Sequence, residues 1–582
     1  MSERKIMSEI RYHLSFSEPQ AHLIDVEMRF RPSTPETVLW MPVWTPGSYL
    51  VREFSRHVQE LTATSAADTP LAVTKTSKNR WAIACPAGDE ITVRYRLYAR
   101  EKSVRTNWVD CDYAFLTGAA TFFAVEGMEN VEHRVAVTLP PGWHQNHCAL
   151  PRTDHDGHTE FTATDFDELV DSPMLMGNPA WHEYMVDGKP VALVNQGEGG
   201  LWDGRAAAMD TKVIVETYRD LYGSVPFDRY LFLNLIVQSG GGLEHKNSSV
   251  LMGSRYAYRD REKYIDWLGL VSHEFFHVWN VKRSRPVELG PFDYENEVYT
   301  RSLWVAEGFT AYYTDLMPRR AGLTTDLEYL DDLGKLVNRL TEVPGRGLQS
   351  LEESSFDAWI KLYRADENTA NTTVSYYLKG ALVTWLLDTR IRTATNQART
   401  LDDLMRLLFD EYSGEHGFSP EQLQAAAESV AGESLQDFFD DYVRGTTELD
   451  FTPALAMFGL RFTKPEDKRN AWLGVETANR GGKLVVTKVR ADGPSRHAGL
   501  NAEDEILALG GYRVDQSTLT TRLKQYAPET RVDLLVSRSD AVRIVPVVLG
   551  ETPRKWKLEV DPDAPDSARE TRATWLGPIR KN

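Results

Sequence analysis

Within SHEFFHVWN, residues Ser272 to Asn280, His273 and His277 stand four apart with Glu274 between them. On a helix this spacing puts both imidazoles on one face, a turn apart, where they can present ring nitrogens to a single point. That is the geometry of a zinc-binding HExxH, with Glu274 beside the metal and free to act as a general base. The flanks, among them Trp267, Leu268, Val271, Phe275, Phe276 and Trp279, cover every side of the helix and predict that it is buried all round. Two imidazoles and a carboxylate left there without partners would cost several kcal/mol, a penalty that a divalent cation offsets.

A catalytic zinc needs three protein ligands and one open position. After Pro286 and a Gly290-Pro291 loop, TRSLWVAEGFTAYYTDL again sets one acid, Glu307, in apolar and aromatic surroundings, which makes it the expected third ligand. Glu297, in the polar YENEVYT, reads as a loop carboxylate. Upstream, QSGGGLEHKNSS carries glycines, Gly241 and Gly242 among them, that allow backbone to approach a ligand closely, followed by Glu244. A carboxylate there could bind a substrate amine; taken alone, the stretch reads as a glycine turn with an exposed acid. Downstream, VSYYLKGALVTWLL starts an apolar helix with Tyr376 and Tyr377, a position where tyrosines are usually core with a tethered hydroxyl.

The elements that must position these groups follow from periodicity. Residues 8–180 alternate in short runs such as HLIDVEMRF and EITVRYRLYA, the pattern of a β-rich domain. Inside it, WTPGSYLVREFSRH, Trp44 to His57, reads as a structural corner with exposed charges. LFLNLIVQSG is a strand leading into the glycine run, and helices are expected around 262–283, 300–317, 326–341, 374–391, 399–412 and 419–444. Leu449 to Lys464, with Pro453 and Pro465, reads as a connection. The compact β-rich module after it spans about 90 residues, and the last stretch, rich in Pro, Asp and Arg, reads as a loosely held tail.

With 582 residues the chain is long enough for several domains. A net charge of -18 disfavours nucleic acid and anionic membranes as partners. MSERKIMSEIRYHLSFSEPQ has no apolar core and no long uncharged apolar run occurs, so neither a signal peptide nor a membrane span is expected. The 3 cysteines, Cys85, Cys111 and Cys148, are odd in number and far apart, which suits reduced thiols in a cytoplasmic protein.

Taken together and in order, GGLEHKNSS, HEFFHVWNVKRSRP, LWVAEGFTAYY and SYYLKG resemble the gluzincin metallopeptidases, and closely the glycyl aminopeptidase family that carries a PDZ domain. The leucyl and alanyl aminopeptidase relatives end their glycine motif in Met-Glu-Asn, where this chain has Leu243, Glu244 and His245, and they use a shorter spacing than the 29 residues between His277 and Glu307. AWLGVETA, with Gly474, resembles the carboxylate-binding loop of PDZ domains, whose free amides can hold a chain terminus; a module that only packs on the catalytic domain or shapes its cleft is an equal reading.

The resemblance implies a multidomain α+β fold. It comprises an N-terminal β-sandwich-like domain over 1–180, a thermolysin-like catalytic domain with a helical part over 181–450, a PDZ-like domain over 455–550 and a tail over 551–582. It implies one zinc per chain on His273, His277 and Glu307, Glu274 as general base, Glu244 as anchor of the free α-amine, and Tyr377, or the adjacent Tyr376, as stabiliser of the oxyanion. Peptides with a free N-terminal Gly or Ala would be the substrates, with peptide C-termini as further partners of the PDZ-like domain. Two competing readings are an endopeptidase guided by the PDZ module and a catalytically silent adaptor with a structural metal.

Overall fold

The computed structural model describes residues 9–155, 158–463 and 469–577. The first residues, MSERKIMS, Lys464 and Pro465 at the end of the expected connection, and the last five residues of the tail lie outside the described residues. The chain divides into two compact units, residues 1–298 with 405–418, and residues 299–404 with 419–582.

In the first unit, strands such as Glu9–Ser15 and Ile91–Tyr98 send every second side chain inward. They belong to a seven-stranded sheet whose order is Arg152–His155, His158–Ala163, Glu132–Val137, Glu9–Ser15, Leu23–Phe30, Ile91–Tyr98, Val58–Ser65. One pair, Glu9–Ser15 on Glu132–Val137, is parallel. Two four-stranded sheets share its core, where Tyr12, Val93, Leu39, Trp81 and Met174 are buried together, so the β-rich reading of this region holds.

The same unit continues into a mixed five-stranded sheet, in the order Ala180–Val186, Lys189–Gln196, Tyr230–Ile236, Ser248–Gly253, Gly241–Glu244. Its middle strand, YLFLNLI, is buried at every position, the signature of a strand covered on both faces. Helices Gly204–Tyr222 and Arg261–Phe276 pack on this sheet.

The second unit is helical up to Phe458, apart from short irregular links, and then carries a separate β module with its own core around Leu484, Val486, Ile506, Leu534 and Val547. Two short strand pairs close the base of that module: Leu460–Thr463 on Lys557–Val560, and Ala471–Trp472 on Gly550–Glu551. Asn371 of the helical part also holds it, donating to the Val489 carbonyl at 2.8 Å and accepting from the Ala491 N–H at 2.7 Å. The chain is thus an α+β protein of several domains, as its sequence predicts.

Four local expectations need correction. The helix expected to reach 283 ends at Phe276, because Val281 takes a φ of 103°, which no helix accommodates, and the chain turns back with Lys282 N–H on the His277 carbonyl at 3.1 Å. The helix expected over 419–444 breaks at Gly432, whose φ of 73° caps Pro420–Ala431. The connection from Leu449 contains the helix Thr452–Phe458 and the strand Leu460–Thr463. The tail is not loosely held: Asp566–Leu576 is a helix whose Trp575 is 0% exposed and stacks on Phe458. One large aromatic anchored there outweighs a charged composition.

Candidate active site

The HExxH helix starts at an Asp260 cap, whose side chain accepts the Lys263 N–H at 3.4 Å. Its apolar flanks are locked by aromatic neighbours: Phe275 meets Tyr230 edge-on at 5.1 Å, Trp279 stacks on Tyr222 at 4.5 Å, and the Tyr218 hydroxyl lies 2.9 Å from Ser272 Oγ. The rings of His273 and His277 come to 4.9 Å between centroids. His277 Nδ1 lies 2.9 Å from the Asn280 carbonyl, which can only accept, so Nδ1 carries the proton and Nε2 is left to bind a metal. The turn that ends the helix therefore also orients this imidazole.

Glu274 is buried beside the glycine run. A Cβ on Gly242 would stand 2.6 Å from Glu274 Cγ, so the close backbone approach expected of these glycines is made here to the glutamate itself. Gly241 has a φ of 118°, a value that glycine adopts without strain.

Glu244 ends the strand Gly241–Glu244, which pairs on one side with Ser248–Gly253 and closes the sheet. It is 4% exposed, so the exposed acid of a bare glycine turn is ruled out. Its charge acts on the buried Lys282 ammonium. A buried carboxylate is a strong acceptor.

Behind it lies a charged brace. Asp171 accepts Lys282 Nζ at 2.7 Å, His245 Nδ1 at 3.1 Å and the Lys246 N–H at 2.7 Å. Burial alone would raise the Asp171 carboxyl, but Lys282 and then His245 hold it well below the usual carboxylate range. Burial likewise works against the Lys282 ammonium, which Asp171 and then Glu244 keep charged.

In the second unit Glu307 sits in a π-helical turn, Trp304–Phe309, that runs into the helix Thr310–Arg320. The wider turn re-aims one side chain without breaking the helix, a device common at functional sites. Glycines fix it: a Cβ on Gly308 would lie 2.7 Å from Gly380 Cα, and one on Gly380 would lie 2.8 Å from Gly308 Cα. Gly380 belongs to the helix Tyr376–Ala394, so the bare crossing ties Glu307 to the turn that carries both tyrosines. Tyr376 is 0% exposed and belongs to the core. Tyr377 is half-buried. Burial first, and the charge of Glu307 second, push its phenol up, keeping it a neutral donor. Glu297 is exposed in irregular chain, as its neighbours predict.

His273 and His277 each offer one ring nitrogen within 4.8 Å of the other, and Glu244, Glu274 and His277 each offer one ligand atom, all within 4.8 Å of one another. Two imidazoles and a carboxylate form a donor set that suits zinc. The sequence reading missed Gly308 and Gly380, although both stand in quoted motifs, and Lys282, which lies in HVWNVKRSRP without an assigned role. Asp171 carried no signal at all, since LVDSPM marks only a loop.

Family models match over residues 11–178 (Peptidase M61 N-terminal domain), 266–383 (M61 glycyl aminopeptidase) and 471–549 (PDZ domain). A search of curated proteins returned no match. Among solved structures, an aminopeptidase N family protein from Idiomarina loihiensis is 30% identical, with 98% of this chain and 100% of that one covered and a TM-score of 0.92. An M1 zinc metallopeptidase from Deinococcus radiodurans is 14% identical over 76% of this chain and 95% of its own, with a TM-score of 0.47. Among the described residues no helix is long and apolar enough to cross a membrane. The chain belongs to the M61 glycyl aminopeptidase family of metallopeptidases, joined to a PDZ domain.

Proposed function

We propose that the protein is an aminopeptidase with one zinc per chain that removes N-terminal Gly or Ala from peptides. The observation that carries the reading is Glu244: a carboxylate that is 4% exposed, with a ligand atom within 4.8 Å of those of Glu274 and His277. A free α-ammonium satisfies it, and a chain end pinned there sets the first peptide bond, rather than a later one, beside Glu274.

In this reading His273, His277 and Glu307 would hold the metal. Bound there, zinc supplies Lewis acidity toward the scissile carbonyl and the attacking water. Glu274 takes the proton from that water and returns it to the leaving amine, the task of a general base and then acid. Its place against Gly242 restricts how far it swings. Tyr377, neutral at working pH, donates to the oxygen on which charge develops, an interaction stronger in the transition state than in the ground state. Tyr376, wholly buried, backs it as a stacked neighbour with centroids 4.8 Å apart. Gly241 and Gly242 line the substrate side of the strand.

The PDZ domain takes peptide C-termini in this reading, with Gly474, at a φ of 73°, opening the carboxylate loop. Three free cysteines suit a reducing cytoplasm. The test is release of glycine from Gly-p-nitroanilide, run beside its N-acetyl form. Chelator-sensitive release from the free amine only is expected; equal cleavage of both would favour an endopeptidase instead.

A further inference from the structure

The stretch WTPGSYLVREFSRH does more than turn a corner. Within this corner Trp44, Ser48 and Tyr49 are buried, while Arg56 is exposed. Ser48 N–H donates to the Thr45 carbonyl at 3.1 Å around Pro46 and Gly47, and Gly47 has a φ of 82°, which makes this a type II turn with glycine where the turn demands it. The turn is braced on every side. Arg52 Nη2 donates to Ser48 Oγ at 2.8 Å, the Arg52 N–H to the Val43 carbonyl at 2.7 Å, and Trp44 Nε1 to the Asp293 carbonyl at 2.8 Å.

Turn geometry alone would explain the glycine, but a second constraint acts on it. A Cβ on Gly47 would stand 2.5 Å from Glu244 Oε2 and 2.7 Å from Glu244 Cδ. The bare backbone of this turn is therefore pressed against the Glu244 carboxylate. A glutamate's terminal torsion is broad and unselective, so contact with neighbouring atoms decides where the carboxylate sits. Gly47 limits it from one direction, and Glu274 and His277 each bring a ligand atom within 4.8 Å of it.

We propose that Gly47 is a positioning residue for substrate capture: its backbone face is the wall that aims the Glu244 carboxylate at the α-amine of the peptide. The inference rests on Glu244 being the amine anchor. Any side chain at 47 displaces the carboxylate by a large part of an ångström, and a misplacement of that size weakens an ion pair without touching the metal or the base.

The test is a double-mutant cycle on the zinc-loaded full chain with Gly-p-nitroanilide. Gly47→Ala should raise KM about tenfold or more while kcat changes less than about threefold, with zinc content unchanged. Because Ala is strained at this φ, Gly47→Asn, which tolerates left-handed backbone, is measured beside it. Glu244→Asp withdraws the carboxylate by one methylene, about 1.5 Å. In that background either Gly47 variant should change KM by less than about twofold, since the collision is gone.

The same KM ratio in both backgrounds, a fall in kcat at constant KM, or loss of folding in both variants would overturn the proposal. Wild-type protein that releases no glycine would sink the aminopeptidase reading instead; wild-type activity with uncoupled variants sinks only the role of Gly47.

Discussion

The helix carrying His273, Glu274 and His277 and the turn carrying Glu307 solve one problem by different means. The first is regular α-helix to Phe276, fixed by aromatic packing and braced nearby by the Asp171–Lys282 pair. The second is a π-helical turn held by two glycines in backbone contact. Two imidazoles on one face need only helical spacing, which a regular helix supplies. A single carboxylate must be aimed from a helix whose neighbouring residues face elsewhere, and a local change of pitch does that. The first region therefore depends on charge and aromatic packing, the second on the absence of side chains.

The sharpest probe of the first region is Glu274→Gln. It should keep zinc and fold while kcat falls by roughly 10³-fold, within the range for a lost general base; metal analysis with steady-state kinetics checks it, and retained turnover would break the assignment of the base.

Next in size is the charged brace. Asp171→Asn leaves Lys282 buried without its partner and should cost about 3 kcal/mol at pH 7, read by denaturant unfolding. Because the folded carboxyl is held below its ordinary value, near 3.9, its stabilisation is complete above that value and is lost as pH falls through the folded value. The gap between wild type and variant should therefore hold from pH 7 to about 5 and shrink below about 4.

Gly308→Ala probes the second region. A methyl against Gly380 should cost about 2 kcal/mol by overpacking, lower kcat by shifting Glu307, and show no dependence on pH in the range where Asp171→Asn does. A pH-dependent loss there would erase the contrast between the regions. The smallest effect is expected from Asn371→Ala, about 1 kcal/mol per hydrogen bond lost, seen as earlier melting of the PDZ domain with near-normal kinetics on a small substrate.

Much of this was legible in the chain itself. Thr325 and Glu328 announce the helix Asp326–Thr341 through a capping box, and its bounds match the expected 326–341. The strand Tyr230–Ile236 and the HExxH helix were equally plain, because burial on all sides leaves an unbroken apolar run. The tail was misread because composition averages over residues, whereas one Trp575 in a pocket decides whether a segment docks. The corner at Gly47 was read as a corner, but what it meets was not legible for a related reason: Glu244 lies almost 200 residues away.

By itself, then, the sequence determined which residue types could do chemistry: HExxH at helical spacing, an isolated acid among aromatics, a glycine run before Glu244. Those are local facts, carried by periodicity and composition. Only the tertiary structure decided how they are held: Gly47 against Glu244, Gly242 against Glu274, Gly308 against Gly380, and Asp171 under Lys282. Each of these is a contact between distant segments in which a missing side chain or a buried charge matters. Neither leaves a period or a spacing to read, because excluded volume and Coulomb attraction act through space and not along the chain.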